Sequence, residues 1–299
     1  MLRWTRHLLV QVVLALVLFS ACSEHQVLAA QLRIAVVLSE SSGAYQEFFS
    51  QLKSNIPHKY TLSSFAVGEP VSDVDLVIAV GMKASTVHAS SSLPVLSVFV
   101  PRASFEALSS AHSSKHTAIY MDQPMERQLE LLVSALPGVT EIGVLYATPP
   151  AELSALKRLA AGRRIGLRER VVDQDHSLAN TLSELLEHSE VLFVLPDMAV
   201  YNSETIRNIL LETYRRQVPM IGISQSYVRA GALCAVYSTP QQFAQQAIQA
   251  IEQFATSGKL PGSQYPVEFD VSVNTQVARS LGMVIKDADQ LRESIMRKQ

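Results

Sequence analysis

The chain has 299 residues, 48% of them hydrophobic, and carries 25 Lys and Arg against 27 Asp and Glu for a formal net charge of -2. No basic run is longer than two residues, so the positive footprint needed to grip phosphate backbones is missing and a nucleic-acid surface is excluded. With only two cysteines a disulfide framework is excluded as well.

Arg3 and Arg6 open the chain, and Leu8 to Phe19 is apolar apart from Gln11. That stretch of 12 residues falls short of the roughly 20 needed to span a bilayer and has the layout of a secretory signal. Its end, Leu18-Phe19-Ser20-Ala21-Cys22, resembles a bacterial lipobox with Phe19 where Leu is usual. The resemblance implies that residues 1–22 are a lipoprotein signal and that Cys22 becomes an acylated N-terminus, tethering the protein in the periplasm or cell envelope. Cleavage after Ala29 or Ala30, giving a soluble periplasmic protein, is the competing reading.

Beyond the signal, apolar runs of about five residues alternate with segments of helical period, the pattern of parallel sheets with crossover helices. Strands are expected at Ile34–Leu38, Tyr60–Phe65, Leu76–Val80, Val95–Val100 and Thr117–Met121. A second series is expected at Ile142–Tyr146, Arg168–Val172, Val191–Leu195, Met220–Ile223 and Leu233–Tyr237. Leu129, Leu132, Val133 and Leu136, and again Leu178, Leu182, Leu185 and Leu186, form helical stripes. Thr239-Pro240-Gln241-Gln242 reads as an N-cap, a proline at the first helical position and a reciprocal capping glutamine. Phe243, Ala247, Ile251 and Phe254 then share one side of the following helix.

The expected fold is therefore α/β, with two doubly wound parallel-sheet lobes joined by a multi-strand hinge. One lobe takes 31–121 plus about 240–263, and the other takes 122–237 plus about 264–299. Cys234, in an apolar segment, reads as a small buried hydrophobe.

Familiar catalytic patterns are missing. Gly81-Met82-Lys83-Ala84-Ser85 lacks the earlier glycine of a phosphate-binding loop. Gly222-Ile223-Ser224-Gln225-Ser226 approaches a nucleophile elbow but has Ser226 where the sharp turn needs glycine, and no histidine follows His188 to complete a triad. His112 and His116 stand four apart without a nearby carboxylate, which favours a solvated loop over a metal site. Asp73 and Asp75 read as turn residues. Neither enzyme activity, a metal nor a cofactor is expected.

Ligands of parallel sheets collect at the carboxyl ends of strands. On that ground the candidate ligand-binding residues are Ser39, Glu40, Ser42, Met82 and Pro101 in the first lobe, with Tyr146, Asp197, Tyr201, Asn202, Ser224, Gln225 and Tyr227 in the second. Arg102 and Thr148 lie in the same loops. Ser42, Asn202 and Asp197 could equally serve as helix or turn caps.

Several segments carry a family resemblance: Leu195-Pro196-Asp197, Tyr201-Asn202, Thr213-Tyr214-Arg215-Arg216, Val218-Pro219-Met220-Ile221-Gly222, Tyr227-Val228-Arg229-Ala230-Gly231-Ala232-Leu233, Tyr237-Ser238-Thr239-Pro240, and Val277-Ala278-Arg279-Ser280-Leu281-Gly282. Together they resemble the ABC-transporter substrate-binding family that includes tryptophan-binding lipoproteins. The resemblance implies a type I periplasmic-binding-protein fold that captures a small solute without catalysis and delivers it to a membrane permease powered by a separate ATPase. It also implies that Leu195–Asn202 and Ser224–Tyr227 face the ligand and that Gly231 ends a short helix before a crossing strand. In the first lobe Lys115-His116-Thr117-Ala118 stands where the family commonly has an Asn-x-Thr-Gly-like element. The expected ligand is an amino acid or related amine-bearing metabolite, with Asp197 pairing its amino group, and the expected state is a monomer. A lipoprotein sensor or accessory subunit that presents a ligand to a membrane receptor or kinase would have the same fold.

Overall fold

The computed structural model describes residues 31–109, 115–173 and 177–298; the signal, Cys22, Ala29, Ala30 and His112 lie outside them. The first sheet is built from β1 (Arg33–Leu38), β2 (Thr61–Ala66), β3 (Leu76–Val80), β4 (Val95–Val100) and β5 (His116–Tyr120) in the order β2-β1-β3-β4-β5. Every pairing in it is parallel. β3 and β4 are buried along their whole length, which is why they read as apolar runs, broken only by Ser97 in β4. β2, at the edge, is mostly exposed. Asp75 fastens the entry to β3 by accepting the Arg33 N–H at 2.8 Å.

Helices α1 (Gly43–Asn55), α2 (Met82–Val87) and α3 (Arg102–Ser109) follow β1, β3 and β4. The turn into α2 needs glycine. Gly81 has φ +85°, and a Cβ there would stand 2.8 Å from both the Ser39 and Tyr45 hydroxyls. At the end of β4 the pairing with β5 shifts between Val98 and Val100, and Phe99 between them takes φ +59°. This bulge turns the Phe99 ring out of strand alternation, so that it meets Phe243 at 4.3 Å, Tyr45 at 5.6 Å and Phe48 at 5.6 Å.

The second sheet comprises β6 (Glu141–Tyr146), β7 (Gly166–Val171), β8 (Val191–Phe193), β9 (Met220–Gly222), β10 (Cys234–Tyr237) and β11 (Asp270–Val273), ordered β11-β10-β9-β8-β6-β7. Only β11 runs antiparallel. Around it stand α4 (Met125–Ala135), α5 (Leu153–Gly162), α6 (Leu178–Leu186), α7 (Ile206–Arg215), α8 (Gln225–Ala230), α10 (Thr275–Ser280) and α11 (Ala288–Met296). The long helix α9 (Pro240–Ser257) packs instead on α1 and the first sheet, where Phe243, Ala247 and Ile251 are buried. Its start carries the capping box expected from Thr239 and Gln242, a device that contributes about 1 kcal/mol. Cys234 is buried in the second core, and burial pushes its thiol up to about 12.

Three segments pass between the lobes: residues 121–124, 238–239 and 261–269. Gln264 pairs with the first sheet, donating its N–H to Ala118 and accepting that of Tyr120, both at 2.9 Å. Side chains tie the crossings together. Gln123 donates to Ser238 at 2.9 Å and accepts from Arg127 at 2.7 Å. Arg127 also donates to the Pro266 carbonyl at 2.9 Å, and Ser238 to that of Glu268 at 2.6 Å. The Arg127 guanidinium lies over the Phe269 ring at 4.2 Å, and burial lowers its pKa to about 10. Among the described residues no helix is long and apolar enough to cross a membrane.

Candidate functional site

Between the lobes lies a cavity of about 480 Å³, a volume suited to a small metabolite. The first lobe supplies Pro101, Ala103 and Ser104 from the start of α3, and the first crossing supplies Met121, Asp122 and Gln123. The second lobe supplies Thr148 to Glu152, Pro196 to Met198, Tyr201, Ile223 and Tyr227. Both sets come from loops after the carboxyl ends of strands, β4 and β5 on one side and β6, β8 and β9 on the other. A larger depression of about 790 Å³, lined by residues such as Glu47, Asn55, Gln249 and Glu268, lies along α1 and α9. It receives none of those loops.

Four of the expected ligand-binding residues line the cavity: Pro101, Asp197, Tyr201 and Tyr227. Asp197 does so in a structural capacity as well. One of its oxygens accepts the Ala147 N–H at 2.7 Å and, more weakly, that of Thr148 at 3.4 Å, while the other accepts the Ala199 N–H at 2.9 Å. These bonds staple the loop after β6 to the loop after β8. Tyr201 packs into the second lobe with its hydroxyl buried. Burial, with Tyr227 and Asp197 nearby, drives its pKa far up. Tyr227 is seated by Gly222, where a Cβ would come within 2.7 Å of its own Cβ.

The other expected residues stand elsewhere. Ser39 accepts the Ala84 N–H at 3.0 Å, and exposed Glu40 pairs with Lys83 at 3.5 Å. Ser42 takes the N-cap position of α1 without a side-chain cap bond. Met82 packs beside Val100, Phe105, Ala118 and Tyr120. Tyr146 is buried and donates to Glu169 at 2.8 Å; burial raises its hydroxyl to about 12. Asn202 accepts the N–H groups of Glu204 and Thr205 at 2.9 and 3.2 Å, capping the turn into α7. Ser224 is the N-cap of α8 and Gln225 its first residue. Gly231 ends α8 at φ +131° before β10, as the resemblance implied. His116 contacts the Ser91 carbonyl through Nε2 at 3.1 Å.

Sequence reasoning missed two carboxylates of the cavity, Asp122 and Glu152. Asp122 accepts the Arg102 backbone N–H at 2.5 Å. Burial, opposed by that bond and aided by Glu152, raises its carboxyl to about 6. Glu152, from the opposite lobe, faces the Arg102 guanidinium at 3.6 Å, which also reaches Glu106 at 3.4 Å. The available signal was positional: Asp122 lies two residues after β5, and Glu152 follows Pro149-Pro150 in the loop after β6.

Comparison with known proteins places this geometry in context. Residues 70–292 match the sequence profile of the family described as ABC transporter substrate binding protein. No curated protein sequence matches significantly. A conserved domain protein from Vibrio cholerae is similar in structure at 20% identity and a TM-score of 0.61, covering 89% of this chain and 98% of its own. An ABC domain from Streptococcus pneumoniae, solved in complex with L-Trp, matches at 16% identity and 0.62, covering 88% and 98%. The ligand-free, open form of CD0873, a substrate binding protein with adhesive properties from Clostridium difficile, matches at 16% and 0.67, covering 85% and 96%.

Proposed function

The chain belongs to the ABC transporter substrate-binding proteins, a family of extracytoplasmic proteins that bind small ligands for a membrane permease, and from that premise we propose that it captures a small amine-bearing metabolite, an amino acid or a relative. The observation that carries this reading is the cavity itself. Its walls come from both lobes, and Asp122, Glu152 and Asp197 all line it. A ligand shifts an open–closed equilibrium only through contacts that differ between the two states. A solute bridging Pro101–Ser104 to Thr148–Glu152 gains most of its contacts on closure. Micromolar affinity, about 8 kcal/mol, is a reasonable target for a ligand of this size.

The protein acts on a lipid tether through Cys22. Conversion of Cys22 to Ser should release it from the membrane fraction, and unchanged partitioning would count against the tether. Native mass spectrometry of purified protein, followed by calorimetry against common amino acids and simple amines, tests the ligand class. A co-purified sugar, with no heat from any nitrogenous compound, would overturn the reading.

A further inference from the structure

The charges around the cavity narrow the ligand class further. We propose that the cleft selects a small organic cation, an amine with an apolar body and no carboxylate, over the matching zwitterionic amino acid; this rests on the solute-capture reading above.

Among the described residues that line the cavity are three carboxylates, Asp122, Glu152 and Asp197, and no lysine or arginine. The N-terminus of α3 faces the cleft, and a helix start is a natural anion site, but Asp122 occupies it through the Arg102 N–H at 2.5 Å. The guanidinium of Arg102 is shared between Glu106 and Glu152. On the facing lobe, the N–H groups of Ala147, Thr148 and Ala199 converge on Asp197. A ligand carboxylate would therefore lose water beside three like charges.

Acceptor capacity remains. An ionised carboxylate offers about four lone-pair sites. Asp122 receives the Arg102 N–H, and Glu152 a guanidinium at the long distance of 3.6 Å. Burial holds the Asp122 carboxyl near 6, so its charge is costly until a cation arrives. The remaining walls, including Pro101, Pro149, Pro150, Pro196, Ile223 and Val236, are apolar and suit the body of the ligand.

The test is calorimetry of the full chain at pH 7.5 with matched pairs: tyramine and tyrosine, tryptamine and tryptophan, agmatine and arginine. In at least one pair the amine should bind about tenfold or more tightly than its amino acid, the scale of one charge-assisted hydrogen bond. Asp122→Asn and Glu152→Gln, each checked for folding by circular dichroism, should weaken amine binding and narrow the gap. An amino acid that binds as tightly as its amine, or a gap unchanged in both variants, overturns this selectivity and leaves the solute-capture reading standing. Heat from a neutral sugar and none from any of the six compounds overturns both.

Discussion

Replacing Asp122 by Asn should make the protein more stable at neutral pH, although it removes a charged hydrogen-bond acceptor. The folded protein holds this carboxyl near 6 against an ordinary value of 3.8, and each tenfold in proton affinity is about 1.4 kcal/mol. The gap therefore corresponds to a penalty of about 3 kcal/mol for keeping Asp122 ionised in the fold. The sign follows from proton binding. Between about pH 4 and pH 6 the folded state holds the proton that the unfolded state has released, so stability falls as pH rises through that window and the full penalty is present above it. Asparagine keeps an oxygen for the Arg102 N–H, and the charge assistance it loses is already contained in the raised pKa. The net expectation is a gain of about 3 kcal/mol at pH 7.5, disappearing or reversing near pH 4. Thermal unfolding of both proteins at half-unit steps from pH 4 to pH 8 measures it, at about 2–4 °C per kcal/mol for a chain of this size. A difference that stays flat across the series would refute the reasoning, because it would mean that Asp122 is not buried as a charge.

Gly81→Ala should lower the melting temperature by several degrees, a loss of about 2 kcal/mol or more, since the left-handed backbone and the Ser39 and Tyr45 hydroxyls both oppose a Cβ. Arg127→Ala should destabilise by about 3 kcal/mol in chemical denaturation, because Gln123 and the Pro266 carbonyl lose a buried charged donor. Cys234 should resist iodoacetamide at pH 8 in the native protein and react on unfolding in urea, read by mass spectrometry, because its thiol is buried and its pKa raised to about 12.

The strands most legible in the sequence are those whose burial is two-sided. Leu76–Val80 and Val95–Val100 match their expected bounds residue for residue, because both faces are buried and only Ser97 interrupts the apolar pattern. β8 stops at Phe193 instead of Leu195. Val194 and Leu195 are still buried, so hydrophobicity continues where the ladder has ended and the chain turns to deliver Pro196 and Asp197. The Phe99 bulge had no sequence signal, since a phenylalanine with positive φ is set by its ring contacts across the lobe. Site residues of the second lobe were partly legible because its loops follow recognisable apolar runs, although the strands β8 and β9 within them are only three residues long. In the first lobe Ser39, Glu40, Ser42 and Met82 were sought after β1 and β3 and Pro101 after β4, and of these Pro101 lines the cavity, which opens over β4, β5 and the first crossing. Which strand ends overlook the gap depends on how one lobe is set against the other, and that is a long-range property no local pattern records.

The knot formed by Gln123, Arg127 and Ser238 bears on how the gap can open. Three ribbons pinned at one point resist twisting and sliding, so the easiest relative motion is rotation about the line through the pin, as with a door on its butt hinge. The lips then separate along a single arc, and a membrane partner reading their spacing receives one variable, open or shut, instead of a family of skewed shapes.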